Sequence, residues 1–120
     1  MENAGARVLA RGRIPADLEL FKDHFPDFPV LPGVLTIEIL KRTIAPEPEK
    51  ARILRLNAVR FQNFLKPGDE WQAQSERVSA ESRQGVREEV WKVRLGCGPV
   101  TAVSARMTLK IQGGSEAYGR

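Results

Sequence analysis

The sequence predicts an α+β domain in which an antiparallel sheet wraps around one central helix. Three observations predict it. A single segment, from Pro32 to just before Pro46, carries apolar residues at helical spacing. Four segments after Ala51 alternate apolar and polar residues and are divided by turns. One short segment of mixed pattern precedes the helix, so the order reads β-α-β-β-β-β. A sheet curved around one helix buries that helix well.

The first strand is expected over Ala6–Arg13, where Val8 and Leu9 are interleaved with Arg7, Arg11 and Arg13 in the manner of a half-exposed strand. Ile14-Pro15-Ala16-Asp17 breaks it, and Leu18–Asp23 leads into a proline-rich loop. Pro26, Pro29 and Pro32 each fix their own φ and push the preceding residue toward extended geometry, so this loop is stiff and specific. From Pro32 onward, Val34, Leu35, Ile37, Glu38, Lys41 and Arg42 give a helix of about three turns, which Pro46 and Pro48 end. Strands are then expected at Ile53–Phe61, Trp71–Ser79, Val86–Leu95 and Pro99–Ile111. Lys66-Pro67-Gly68-Asp69 reads as the turn between the first two of these, and Gly96-Cys97-Gly98 as the turn between the last two.

A chain of 120 residues suits one domain, here residues 1–112, with Gly113–Arg120 as a flexible tail of linker composition. A domain this size has little core to spare, and a homodimer or higher homo-oligomer is expected to cover an open edge or face. No apolar run approaches the roughly 20 residues of a membrane helix, and Met1-Glu2-Asn3-Ala4-Gly5 does not resemble a signal peptide. A cytoplasmic protein without membrane insertion is expected. Cys97 is the only cysteine and no histidine or lysine adjoins it, which leaves it without an activating neighbour in sequence. One His and one Cys do not supply a metal's usual ligand set, and no second histidine serves the serines as a hydrolase would require. The net charge of +4 favours acidic partners, yet the basic residues are spread along the chain and no nucleic-acid motif accompanies them.

The chemistry concentrates between His24 and Glu38, fourteen positions apart. The run His24-Phe25-Pro26-Asp27-Phe28-Pro29-Val30-Leu31-Pro32-Gly33-Val34-Leu35 holds the sole histidine, and Glu38 follows within an apolar stretch. An unperturbed imidazole titrates near pH 6.5, so His24 is available as a base at neutral pH. Burial of Glu38 among Leu35, Ile37 and Ile39 would favour its uncharged, acidic form. The Gly33 and Val34 amides open the helix without intrahelical acceptors and can hold an anionic oxygen. A bland reading stands beside each: His24 as a hydrogen-bonded structural residue, and Glu38 with Arg42 as a surface i,i+4 ion pair.

This segment resembles the signature of the hot-dog-fold 3-hydroxyacyl-[acyl-carrier-protein] dehydratases of the FabZ and FabA type. A second block, Asn57-Ala58-Val59-Arg60-Phe61 followed by Lys66-Pro67-Gly68-Asp69, is similar to the strand and turn that come next in that family. The resemblance spans about Ala6 to Ile111 and implies a dimer of hot dogs that dehydrates a carrier-bound 3-hydroxyacyl thioester to the trans-2-enoyl product, in fatty acid, polyketide or aryl polyene synthesis. It implies His24 as base and Glu38 as acid, paired across two subunits, with Gly33 and Val34 binding the thioester oxygen and no cofactor. Phe25, Phe28, Phe61 and Phe64 would line the acyl tunnel or its mouth. Lys22, Lys41, Arg42 and Lys66 would meet the acyl carrier protein. In place of the family's small residues and glutamine after the glutamate stands Ile39-Leu40-Lys41-Arg42, a cationic pair beside Glu38. Two other readings remain: a non-catalytic hot-dog dimer that binds acyl chains or a carrier, and a hot-dog thioesterase in which Glu38 activates water.

Overall fold

The computed structural model describes residues 5–15, 33–45 and 47–112. Its elements are β1 (Arg7–Arg13), α1 (Gly33–Ile44), a single 3-10 turn (Pro48–Lys50), β2 (Ala51–Phe61), β3 (Glu70–Arg83), β4 (Val86–Cys97) and β5 (Val100–Gln112). The five strands form one antiparallel sheet in the order β1-β3-β4-β5-β2. The chain therefore leaves the sheet at one edge, runs along the helix, and re-enters at the opposite edge.

The helix stays because its apolar stripe is covered. Ile37, Leu40 and Ile44 are buried in one cluster with Trp91, Val93 and Leu95 of β4 and Ala105, Met107 and Leu109 of β5. Spacings of three and four along α1 put the three helical residues on one face. The strand residues alternate along β4 and β5 and so share the sheet's inner face.

Two turns fix the register. Gln84 and Gly85 both have positive φ, 55° and 79°, the combination of a two-residue type I′ hairpin, which lets β3 run on to Arg83 instead of stopping near Ser79. The Lys66–Asp69 turn forms as expected: Asp69 N donates to Lys66 O at 3.0 Å, Gly68 has φ 84°, and Lys66 N donates to the Asp69 carboxylate at 2.8 Å. Ile14 locks onto that turn through 2.8 Å bonds with Asp69 O and Gly68 N, which ties the end of β1 to the start of β3.

The expected Gly96-Cys97-Gly98 turn is corrected. β4 continues through Gly96 and Cys97, and only Gly98 and Pro99 turn. Gly96 and Cys97 still find partners in β5, opposite Thr101 and Val100, after a register shift that leaves Ala102 of β5 as the extra residue. The proline-rich loop and the tail from Gly113 lie outside the described residues.

The inner face is not wholly apolar. Glu89 is fully buried, accepts hydrogen bonds from Trp91 Nε1 at 2.8 Å, Arg77 Nη1 at 3.3 Å and Arg87 Nε, and lies beneath an Arg77 guanidinium stacked 5.8 Å from the Trp91 ring centre. No described helix is long and apolar enough to cross a membrane.

Candidate functional site

The start of α1 and the edge strand β2 enclose a cavity of about 660 Å³. From the helix it takes Gly33, Val34, Ile37 and Glu38; from β2 and the residues just after it come Ile53, Leu56, Phe61 and Phe64. The helical set follows from periodicity, since Gly33 and Ile37, and likewise Val34 and Glu38, are four apart along α1 and share a side. The β2 set follows from a strand bent by register shifts at Ile53/Arg55 and Asn57/Arg60, with Ala58 at φ 52°.

Gly33 is where the two elements touch. A Cβ there would come within 2.6 Å of Phe61 Cε1 and 2.9 Å of Cδ1, so the ring lies against the helix start only because the residue is glycine. The first amides of α1 have no acceptor within the helix and carry the positive end of its dipole. Gly33 and Val34 line the cavity, whose other described walls are apolar apart from Glu38.

Among the described residues, Glu38 brings the one carboxylate to this cavity. Its side chain is 37% exposed, and Oε2 accepts from Arg42 Nε at 3.0 Å and lies 3.7 Å from Lys41 Nζ. Burial among Leu35, Ile37 and Ile39 is therefore not its setting. Adjacent residues on a helix point in different directions, and the neighbour that faces Glu38 is Arg42, one turn on. Lys41 is the more buried cation, its ammonium also reaching Ala51 O at 3.3 Å. Among the described residues, no group of three or more His, Cys, Asp or Glu gathers that could hold a metal ion.

Of the expected site residues, Glu38, Gly33, Val34, Phe61 and Phe64 line this cavity together. Lys41 and Arg42 adjoin it through Glu38, while Lys66 belongs to the turn before β3 and does not line it. His24, Phe25, Phe28 and Lys22 lie outside the described residues. Ile37, Ile53 and Leu56 were missed. Ile37 was legible from its spacing to Val34 and Glu38, but the β2 pair depended on the bulges, which no residue pattern announces.

A model of the ApeI-like dehydratases matches residues 1–90. The chain belongs to this family. Among curated proteins, this ApeI-like dehydratase is 35% identical over 74 residues to the 3-hydroxyacyl-[acyl-carrier-protein] dehydratase FabZ of Listeria monocytogenes, covering 55% of this chain and 51% of that protein. It thus spans about half the length of the curated relatives it matches. Among solved structures, the dehydratase heterocomplex ApeI:P of Xenorhabdus doucetiae superposes with TM-score 0.63 at 21% identity, covering 91% of each chain. The (R)-hydratase of A. caviae superposes with TM-score 0.67 at 16% identity over 90% of this chain and 96% of that one. The architecture they share is the hot-dog fold.

Proposed function

We propose that this ApeI-like dehydratase removes water from a 3-hydroxyacyl thioester carried on an acyl carrier protein, giving the trans-2-enoyl thioester. The reading rests on family membership and on one observation: Glu38 and the first residues of α1, Gly33 and Val34, line the same largely apolar cavity. In this reaction a proton leaves C2, the hydroxyl leaves C3 as water, and a double bond forms between them. His24 takes the C2 proton. Glu38 gives the departing hydroxyl its proton, while the Gly33 and Val34 amides hold the negative charge that grows on the thioester oxygen. Phe61 and Phe64 flank the acyl chain. No cofactor enters. The setting is cytoplasmic, in fatty acid or related polyketide or aryl polyene synthesis, and the working unit is a homodimer in which His24 of one chain meets Glu38 of the other.

The test follows enoyl thioester formation and free thiol release together, from short, long and aromatic 3-hydroxyacyl-carrier substrates. Enoyl product that is lost in His24→Ala is the expected result. Thiol release without enoyl product would replace the proposal with a thioesterase in which Glu38 activates water. Neither product would leave an acyl- or carrier-binding dimer.

Gly33 offers a sharper check of the cavity. In Gly33→Ala the new methyl must displace the Phe61 ring, which is 55% exposed and free to swing outward. Stability should change little, because the ring yields and alanine favours the helix. Activity should fall roughly 10- to 100-fold, since reacting groups misplaced by about 1 Å lose that much. Equal losses in melting temperature and kcat/KM would show that Gly33 serves only the fold.

A further inference from the structure

The sheet's outer face, opposite α1, carries a second and larger groove of about 770 Å³ that the proposed chemistry does not use. Its charged walls are Arg7, Arg60, Lys92, Arg94 and Arg106 against the single carboxylate of Glu76. The chain as a whole has a net charge of +4. Folding thus gathers into one groove an excess as large as that of the entire protein, although the residues are scattered from position 7 to position 106.

Register explains the gathering. One row across the sheet runs Arg7, Glu76, Lys92, Arg106, each directly opposite the next. A neighbouring row runs Gln74, Arg94, Ser104, Arg60. Directly opposed residues on one face are close enough to interact, and like charges there destabilise a sheet. Glu76 relieves Arg7 and Lys92, but Lys92 and Arg106 face one another and Arg106 meets only Asn57 beyond. A bare surface gains nothing from that pair, whereas an anionic partner would be drawn to it.

We propose that this groove docks an acidic helix of the acyl carrier protein that delivers the substrate, which rests on the function proposed above. Five strands span about 19 Å at their usual spacing, the length of a helix of about 13 residues. Among the described residues, the groove's walls contain no aromatic side chain to serve as the stacking platform that single-stranded nucleic acid uses. The groove and the reaction cavity lie on the two sides of the same edge strand: Arg60 lines one and Phe61, the next residue, lines the other. Carrier recognition therefore centres on the outer face, in a groove that Lys66 does not line.

The experiment compares wild type with Lys92→Glu/Arg106→Glu, and with Lys50→Glu/Arg83→Glu as an equal change of charge elsewhere. Each is given a carrier-linked 3-hydroxyacyl substrate and the same acyl group on a carrier-free pantetheine thioester. The expected result is a KM for the carrier-linked substrate raised at least tenfold in the first variant alone, with turnover of the carrier-free thioester unchanged. An unchanged KM, or parallel loss on both substrates with the milder Lys92→Gln/Arg106→Gln, overturns the docking site. Fluorescence anisotropy of labelled holo-carrier reads the surface independently of turnover. Binding that weakens at least tenfold in the variant and with added salt supports the site even if wild type dehydrates neither substrate. Absent binding, or lost affinity for RNA or anionic vesicles with carrier affinity intact, overturns it.

Discussion

Glu89→Leu is expected to lower the unfolding free energy by about 3–5 kcal/mol, the usual cost of removing one partner from a buried ion pair. Glu89 has no exposed surface and stands between the Arg77 and Arg87 guanidiniums, themselves nearly buried, while its other oxygen takes the Trp91 indole hydrogen. Leucine fills much of the same volume, so a cavity is not the cause. The loss comes from two nearly buried guanidinium groups that each lose the Glu89 carboxylate and an indole N–H deprived of its acceptor. For a domain of this size each kcal/mol corresponds to roughly 3–6 °C, which places the fall in melting temperature at about 10–25 °C. Thermal unfolding followed by circular dichroism checks this, and a fall of less than about 3 °C would show that the triad contributes nothing net. Glu89→Gln keeps an acceptor oxygen and should fall between the two. Replacing the triad by well-packed apolar residues should recover most of the loss, since buried ion pairs are often no better than an apolar core of equal volume.

The same triad marks a limit of what sequence reveals. In Val86–Leu95 the alternation is plain, but Arg87 and Glu89 stand in phase with Trp91, Val93 and Leu95, so all five face inward. Pattern alone assigns charged residues to water, and only the pairing of β3 with β4 brings Arg77 to Glu89. The outer-face cations were hidden for the same reason, being distant in sequence and neighbours by register. Local features were legible: α1 begins at Gly33 and ends at Ile44, two residues before Pro46 in the sequence, and the Lys66–Asp69 turn follows from its proline and glycine. The β4–β5 turn was misplaced because glycine marks both turns and close approaches of backbone, and Gly96 is the latter: a Cβ there would lie 2.5 Å from Val100 O. For the site, helical spacing was enough to join Gly33, Val34 and Glu38, whereas the surroundings of Glu38 depended on which turn of the helix faced it.

Glu38→Gln should reduce dehydration by between ~100- and ~10,000-fold, the usual contribution of a positioned general acid, with little change in stability. The amide is nearly isosteric, still lines the cavity, and loses the pairs with Lys41 and with Arg42, the latter a surface pair worth about 0.3–0.5 kcal/mol. That small figure also bounds the effect of Arg42. If Arg42 holds Glu38 back as an acid, Arg42→Ala should raise kcat, but by no more than about twofold, because a pair worth about 0.4 kcal/mol shifts an equilibrium no further. A tenfold change in either direction would mean that Arg42 meets substrate itself. The sharing of the site between subunits gives the last discriminating measurement. His24→Ala and Glu38→Gln chains, each inactive alone, should recover up to about a quarter of wild-type activity on mixing and refolding. Random pairing makes half the dimers mixed, and each mixed dimer has one intact site of two. Recovery requires that His24 and Glu38 come from different chains; if one chain supplied both, every site in the mixture would lack one of them and activity would stay at the level of the mutants.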